Sequence, residues 1–189
     1  MRRASLRPFR IGIAAGFALV GFVLATAVDS RVADDYAVLA SQNLGLPLAN
    51  LKRADMPRDT FGEARANGKP HEATDIMALR GTPVLAIGDG TVTKLFYSRS
   101  GGHTVYEFDP SQTYCYYYAH LDRYASGTHE GMSVHKGDVL GYVGSTGDAS
   151  PDAPHLHLAI FRLSPERHWW IGKAINPYPL LIKILDEQR

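Results

Sequence analysis

The sequence predicts a mainly β protein whose strands form an antiparallel sandwich or a partly open barrel, behind an N-terminal transmembrane or signal helix. From about residue 61, short runs of β-branched and aromatic residues follow one another. Breaks rich in glycine and aspartate separate these runs at regular intervals, as in all-β domains. No long-period repeat is present. The 189 residues, 45% of them hydrophobic, suffice for one domain with a core and a leader.

The leader, residues 1–30, is the strongest compositional feature. Residues 11–28 carry no charge, arginines precede them, and Ala25-Thr26-Ala27 ends the run. This order is typical of an export signal. A run of about 18 apolar residues also just spans a bilayer, so a retained signal anchor and a cleaved signal peptide both agree with it. Either version predicts that the rest of the chain crosses the membrane. A buried core helix is disfavoured because no face of the run is polar.

Composition divides the remaining chain into three segments. Residues 31–60 are mixed and polar, and a short helix is predicted over Ala33–Asn43 before a linker. Residues 61–165 form the predicted β domain. Residues 166–189 form a C-terminal tail, in which Leu180–Asp186 are predicted to be helical.

Strands are predicted within the β domain because each run has the length and composition of a strand and ends at a turn signal. They are Pro83–Ile87, Thr91–Tyr97, His103–Phe108, Thr113–Leu121, Val139–Val143 and Leu156–Leu163.

Charge and cysteine content restrict the partners and the metal chemistry. The net charge of +1 gives no reason to expect a nucleic-acid partner. The single cysteine, Cys115, excludes an internal disulfide and a cysteine-based zinc site. A metal site in this chain must therefore use histidine and carboxylate ligands, and eight histidines are available.

The segment His155-Leu156-His157 places two imidazoles on one face of a predicted strand. Successive side chains of a strand alternate between faces, so Leu156 and Leu158 point to the opposite, apolar face. Paired imidazoles backed by apolar residues make half of a metal site or an acid–base site. Two surface histidines beside a core strand would give the same local pattern.

Two further segments carry candidate site residues. His71 and Asp75 have a spacing that lets both side chains converge on one metal from a turn, although an exposed loop shows the same spacing by chance. His120 ends an aromatic strand, and the two-residue period predicts that it shares a face with Tyr114, Tyr116 and Tyr118.

Together these segments resemble the lysostaphin-type (LytM-like) zinc endopeptidases that cut cell-wall peptidoglycan. That family carries H-x-x-x-D, then a histidine in a Tyr-x-His-Leu segment, then H-x-H, in this order. The corresponding residues are His71 and Asp75, His120 within Tyr118-Ala119-His120-Leu121, and His155-Leu156-His157. The resemblance covers roughly residues 60–163 and includes the connecting stretches Arg80-Gly81-Thr82-Pro83-Val84 and Gly141-Tyr142-Val143-Gly144. Ala73 stands where the family often has glycine, and Leu158-Ala159 where it often has Phe-Glu.

The resemblance implies a specific site and substrate. His71, Asp75 and His157 would bind one zinc ion, and His120 and His155 would be catalytic. A β-sheet groove would hold a peptide of peptidoglycan. Together with the leader, it implies work in the periplasm or another extracytoplasmic space. The chain would be anchored in the cytoplasmic membrane if the leader is retained, and secreted if it is cleaved.

The proton chemistry falls to histidine, because the chain has no H-E-x-x-H motif to supply a glutamate base. We expect His155 to act as general base and His120 to stabilise the oxyanion or protonate the leaving amine, and the two roles can be exchanged. Glu72 is interpreted as a solvated loop carboxylate. His103, His129, His135 and His168 are interpreted as structural or solvent-exposed. Trp169 and Trp170 either pack the tail against the sheet or line the groove.

Two alternative functions fit parts of the pattern. A catalytically silent activator of another cell-wall hydrolase would have the same fold, but such a relative is expected to lack metal ligands. A non-enzymatic hybrid-barrel module would explain the patterns of Gly81–Val92 and Val134–Gly144. A carrier of that kind needs a lysine at a hairpin tip, and Gly88-Asp89-Gly90 has none.

Overall fold

The short apolar runs form strands of one antiparallel sheet in a computed structural model that describes residues 34–65 and 68–188. Nine strands lie in this described part of the chain. They are β1 (Thr74–Met77), β2 (Pro83–Leu85), β3 (Gly90–Ser98), β4 (Gly102–Phe108), β5 (Tyr114–Tyr124), β6 (Ser133–Val134), β7 (Val139–Val143), β8 (His155–Leu163) and β9 (Gly172–Ile175). Residues 34–41 are helical (α1), Arg53–Asp55 form a 3-10 turn, and Tyr178–Glu187 form helix α2.

Strand β5 organises the sheet, because it pairs with β4, β7 and β8. The main strand order is β1-β8-β5-β4-β3-β6. Strand β2 pairs with β7, and β9 pairs with β8. All these pairings are antiparallel. The mainly β class is thus confirmed, and the strands belong to one open sheet rather than to two separate stacked sheets.

The hydrophobic core lies on one face of this sheet and includes residues from outside the predicted β domain. Leu39 of α1 and Leu181 of α2 are buried in the same cluster as Tyr118 and Leu158. Polar contacts join the same segments. Tyr36 Oη donates to the Asn176 carbonyl at 2.9 Å, and Asn176 Nδ2 donates to Asp59 Oδ2 at 2.7 Å. Residues 36–188 accordingly belong to one compact unit.

Every predicted strand is present, with ends that differ by three residues or fewer. The helices predicted over Ala33–Asn43 and Leu180–Asp186 are also present in the described chain, as α1 and α2. Strands β1, β6 and β9 were not predicted, because each has at most four residues and no clear apolar alternation. The predicted signal anchor or signal peptide lies outside the described residues. Among the residues that are described, no helix has both the length and the apolar character needed to span a membrane.

Glu107 on β4 is a carboxyl group buried within the core. Its side chain has no exposed surface, and Tyr118 Oη donates to its Oε2 at 2.7 Å. Burial is the main reason that the pKa of Glu107 is raised to about 8. The hydrogen bond from Tyr118 opposes this rise, and the nearby Asp89, Asp109 and Asp138 contribute to it. Glu107 is therefore protonated at neutral pH in the folded protein.

We expect Glu107→Gln to flatten the pH dependence of stability. The folded-state pKa of Glu107 is raised, so the stability that its protonated form contributes is complete below the unfolded pKa of about 4.5 and is lost as pH rises through about 8. Glutamine cannot release that proton. Urea unfolding of both proteins at pH 5 and pH 8 measures the difference. Equal losses of unfolding free energy in the two proteins would contradict this assignment.

Candidate metal centre

Three neighbouring strands bring the candidate site residues together. Asp75 of β1 lies opposite His157 of β8, and His157 lies opposite Ala119 of β5 on its other side. Leu156 and Leu158 are completely buried in the core. His155 and His157 therefore share the opposite face of β8, as the strand period predicts.

His71 lies in the loop that leads into β1, and backbone hydrogen bonds fix this loop. His71 N–H donates to the Glu63 carbonyl at 2.8 Å, and Glu72 N–H donates to the Phe61 carbonyl at 2.9 Å. Glu72 is the residue of this loop whose backbone is in the left-handed region, with φ of +57°. Ala73 has no positive φ and is buried, so the loop does not need glycine at that position. Glu72 itself is exposed, as expected.

The side chains of His71, Asp75 and His157 converge, and their potential ligand atoms all lie within 4.8 Å of one another. Asp75 Oδ1 is 3.1 Å from His71 Nε2 and 2.8 Å from His157 Nδ1, and the two ring nitrogens are 3.4 Å apart. Ligand atoms of a tetrahedral zinc ion are separated by about 3.3 Å. The other ring nitrogen of His71, Nδ1, lies 2.9 Å from Thr60 Oγ1, which directs Nε2 toward Asp75. These residues therefore fit a zinc ion without rearrangement of the backbone.

Charge in this group also suits a cation. Burial opposes ionisation of Asp75. Hydrogen bonds from His157 and His71, and the positive charge of these imidazoles at low pH where they are protonated, outweigh it, so the pKa of Asp75 lies well below its usual range. Burial lowers the pKa of His157, and Asp75 offsets this only in part. Asp75 is thus ionised and His157 neutral near pH 7, which are the protonation states that a metal ion requires.

His120 lies in the same groove, but on the opposite face of β5 from the one predicted. Residues 119 and 120 of β5 lie between the pairs Val105↔Tyr118 and His103↔Leu121, so two residues face only Thr104. This bulge carries φ of +60° at His120. The prediction that His120 shares a face with Tyr114, Tyr116 and Tyr118 is therefore wrong. His120 lines the groove with Tyr117, whereas Tyr118 points into the core.

Two loops hold the His120 bulge in place. His120 N–H donates to the Gly101 carbonyl at 2.8 Å, and His120 Nδ1 lies 2.8 Å from the Thr146 carbonyl oxygen. Thr146 Oγ1 also accepts from His103 N–H at 3.0 Å. Because Nδ1 must carry the hydrogen to donate to a carbonyl, the lone pair of neutral His120 lies on Nε2. Burial lowers the pKa of His120, which keeps it neutral.

His155 has the same tautomer as His120. Its Nδ1 lies 2.9 Å from the Ala153 carbonyl oxygen, so Nε2 again carries the lone pair. That Nε2 is buried, finds no hydrogen-bond partner among the described residues, and lies 3.8 Å from Asp75 Oδ1. The ring centroids of His120 and His155 are 4.8 Å apart. Two proton acceptors thus stand beside the three potential metal ligands.

An open groove of roughly 590 Å³ gives access to this centre. Its walls include residues that the sequence patterns did not indicate: Arg65, Lys69, Ser100, Gly101, Tyr117, Asp148 and Ser150. Trp169 does not line it. This side chain instead packs against Phe96 and Tyr106 at centroid distances of 5.4 and 4.7 Å, which ties the loop after β8 to the sheet.

Comparison with known proteins identifies close relatives of this chain. A family model described as "Peptidase family M23" matches residues 69–177. The chain is 37% identical over 131 residues to an L-Ala--D-Glu endopeptidase of Bacillus subtilis. This match covers 66% of this chain and 39% of that protein. It is 42% identical over 89 residues to the peptidoglycan DD-endopeptidase ShyC of Vibrio cholerae. That match covers 47% of this chain and 19% of that protein. The chain thus spans well under half the length of these curated relatives.

Solved structures share the fold. The catalytic domain of lysostaphin from Staphylococcus simulans superposes with a TM-score of 0.56 at 30% identity, over 65% of this chain and 88% of that one. LytU superposes with a TM-score of 0.59 at 28% identity, over 77% of this chain and 97% of that one. The open antiparallel sheet described above is therefore a lysostaphin-like fold.

We expect Gly147→Ala to destabilise the His120 bulge far more than Gly127→Ala destabilises its own turn. Both glycines have left-handed φ, of +82° and +90°. A Cβ at Gly127 meets nothing within 4 Å, so its cost is the backbone strain alone, about 1–2 kcal/mol. A Cβ at Gly147 would overlap the Ser100 carbonyl and the Gly102 nitrogen. Urea unfolding and the His120 ring signals in NMR spectra measure both effects. An equal cost for the two variants, with unchanged His120 signals, would refute the role assigned to these loops.

Proposed function

Because the chain belongs to peptidase family M23, we propose that it is a zinc-dependent endopeptidase that hydrolyses peptide cross-links of bacterial cell-wall peptidoglycan. The convergence of His71, Asp75 and His157 beside the two further histidines His120 and His155 is the observation that carries this proposal. The names of the relatives, which include an L-Ala--D-Glu endopeptidase and a peptidoglycan DD-endopeptidase, support the choice of substrate.

His71 Nε2, Asp75 Oδ1 and His157 Nδ1 would hold the zinc ion. Zinc bound there would polarise the peptide carbonyl and lower the pKa of a bound water toward ~7. The chain's own contribution is to orient the ligands. Thr60 fixes the ring of His71, and the pairing of β1 with β8 holds Asp75 opposite His157.

His155 and His120 would move the protons. In each, Nδ1 donates to a backbone carbonyl, which leaves Nε2 as the atom that can accept a proton. His155 is the stronger candidate for the general base, because its buried Nε2 is without a hydrogen-bond partner in the described chain and lies 3.8 Å from Asp75 Oδ1. Once protonated, an imidazole can donate to the leaving amine. His120 would then stabilise the oxyanion or share the proton transfer.

We also propose that the peptidase unit works outside the cytoplasmic membrane. The arginine-flanked apolar run over residues 11–28 supports this location. Peptidoglycan cross-links lie on that side of the membrane, so the location and the proposed substrate agree. The leader would hold the protein in the membrane if it is retained.

We expect substitutions at the two groups of residues to separate zinc binding from turnover. Asp75→Ala and His157→Ala should lose zinc, because each removes a ligand. His120→Ala and His155→Ala should retain zinc and lose about 10²–10⁴-fold in rate, the usual contribution of a general acid or base. Elemental analysis and peptide hydrolysis on each purified variant give both values. Loss of zinc from His120→Ala together with its retention in Asp75→Ala would overturn the assignment.

Digestion of purified peptidoglycan tests the proposed reaction itself. We expect the zinc-loaded protein to convert cross-linked muropeptides into uncross-linked ones, and a chelator to abolish this. Mass spectrometry of the muropeptides before and after treatment identifies the bond that is cut. Unchanged cross-links with a fully occupied zinc site would instead favour the activator of another hydrolase.

A further inference from the structure

One rim of the groove is cationic, and nothing in the zinc chemistry requires it. Arg65 and Lys69 supply its charge, and backbone hydrogen bonds link the two residues. Arg65 N–H donates to the Lys69 carbonyl at 2.8 Å, and Gly68 N–H donates to the Arg65 carbonyl at 2.8 Å. The adjoining residues Ala64 and Pro70 form an antiparallel β-bridge. Both cations line the groove, and Asp148 is the one carboxylate among the described residues that line it.

The guanidinium of Arg65 lies next to the candidate ligands. Its Nη2 is 3.1 Å from Asp75 Oδ2 and 3.4 Å from His157 Nδ1. Asp75 thus presents Oδ1 to the two imidazoles and Oδ2 to Arg65. The Arg65 side chain remains 42% exposed. Since a guanidinium has five N–H donors in a planar fork, one bond to Asp75 leaves donors that can reach a ligand in the groove.

We propose that Arg65 determines substrate specificity by binding a free carboxylate on a residue that flanks the scissile bond. This inference rests on the proposed peptidase function and adds a substrate class, acidic peptides in preference to neutral ones. The guanidinium lies 3.4 Å from the potential ligand atom His157 Nδ1. Because an extended peptide advances only about 3.3–3.6 Å per residue, it can reach the residues next to a carbonyl held at the metal centre. The planar fork matches a carboxylate with two parallel hydrogen bonds.

The same guanidinium has a second possible use, which is to orient Asp75. The two uses differ in what they discriminate. An orienting role affects zinc binding and every substrate equally. A recognition role affects only substrates that carry the carboxylate, and it acts mainly through KM.

Matched peptides test the proposal. Each pair has the same sequence and carries either a free carboxylate or a carboxamide on one residue flanking the scissile bond. Zinc content, kcat and KM are measured for the unmodified protein, Arg65→Gln, Arg65→Lys and the control Arg53→Gln. Arg53 is also paired with an aspartate, Asp186 at 4.0 Å, but it is not among the residues that line the groove.

We expect the unmodified protein to prefer the carboxylate peptide. Arg65→Gln should raise KM for that peptide by about ten- to a hundredfold, the effect of losing a charge-assisted hydrogen bond, and should leave the carboxamide peptide and the zinc content unchanged. Arg65→Lys should recover part of the preference, because lysine keeps the charge without the fork. Arg53→Gln should match the unmodified protein.

Two results would overturn the inference. One is the absence of a preference in the unmodified protein, and the other is an equal loss for both peptides in Arg65→Gln. Calorimetric binding of both peptides to His155→Ala separates this inference from the proposed reaction, since it needs no turnover. Tighter binding of the carboxylate peptide to His155→Ala, abolished when Arg65→Gln is added, would support the inference. If the unmodified, zinc-loaded protein cut neither peptide, the peptidase function would be rejected while the inference stood.

Discussion

The position of β8 between β1 and β5 is the constraint on which the site depends. This pairing sets Asp75 and Ala119 opposite His157 on either side. A slip of one residue would turn both histidines of β8 into the core and expose Leu156 and Leu158. Burial of each leucine stabilises the observed register by about 1.5–3 kcal/mol, so the apolar face of the strand specifies the positions of the polar groups on the other face.

Hydrogen bonds from neighbouring segments then orient the histidine side chains on this sheet. Carbonyl oxygens of Thr146 and Ala153 accept from the Nδ1 of His120 and of His155, and Thr60 orients His71. The partners of His120 and His155 lie outside the strands that carry these histidines, and Thr60 precedes the loop that carries His71. The backbone of the loops therefore determines the tautomers, whereas the sheet determines the distances. The positions of the two proton-accepting Nε2 atoms follow from both together.

Patterns within single segments predicted most of the sheet, whereas the candidate site residues were assigned from the order of several segments and the family resemblance that this order carries. The shared face of His155 and His157 followed from their alternation with buried leucines. The face of His120 could not be predicted from its own segment. Its bulge is held by contacts with Gly101 and Thr146, which lie in other parts of the sequence. Arg65 carried no signal either, since its importance rests on an approach to His157 across 92 positions of sequence. Local alternation predicts strands well, and it carries no information about where a strand bulges.

The hydrogen bond between Thr60 and His71 has a consequence for how this peptidase unit is delimited. Composition places a boundary near residue 61, yet the side chain that orients His71 belongs to the preceding residue. Its neighbour Asp59 accepts from Asn176, which in turn accepts from Tyr36. The unit that gene fusion or domain shuffling can transfer intact is therefore larger than its motif-bearing region. It must include residues on both sides of the motifs, because Asn176, which follows them, binds both Tyr36 and Asp59, which precede them.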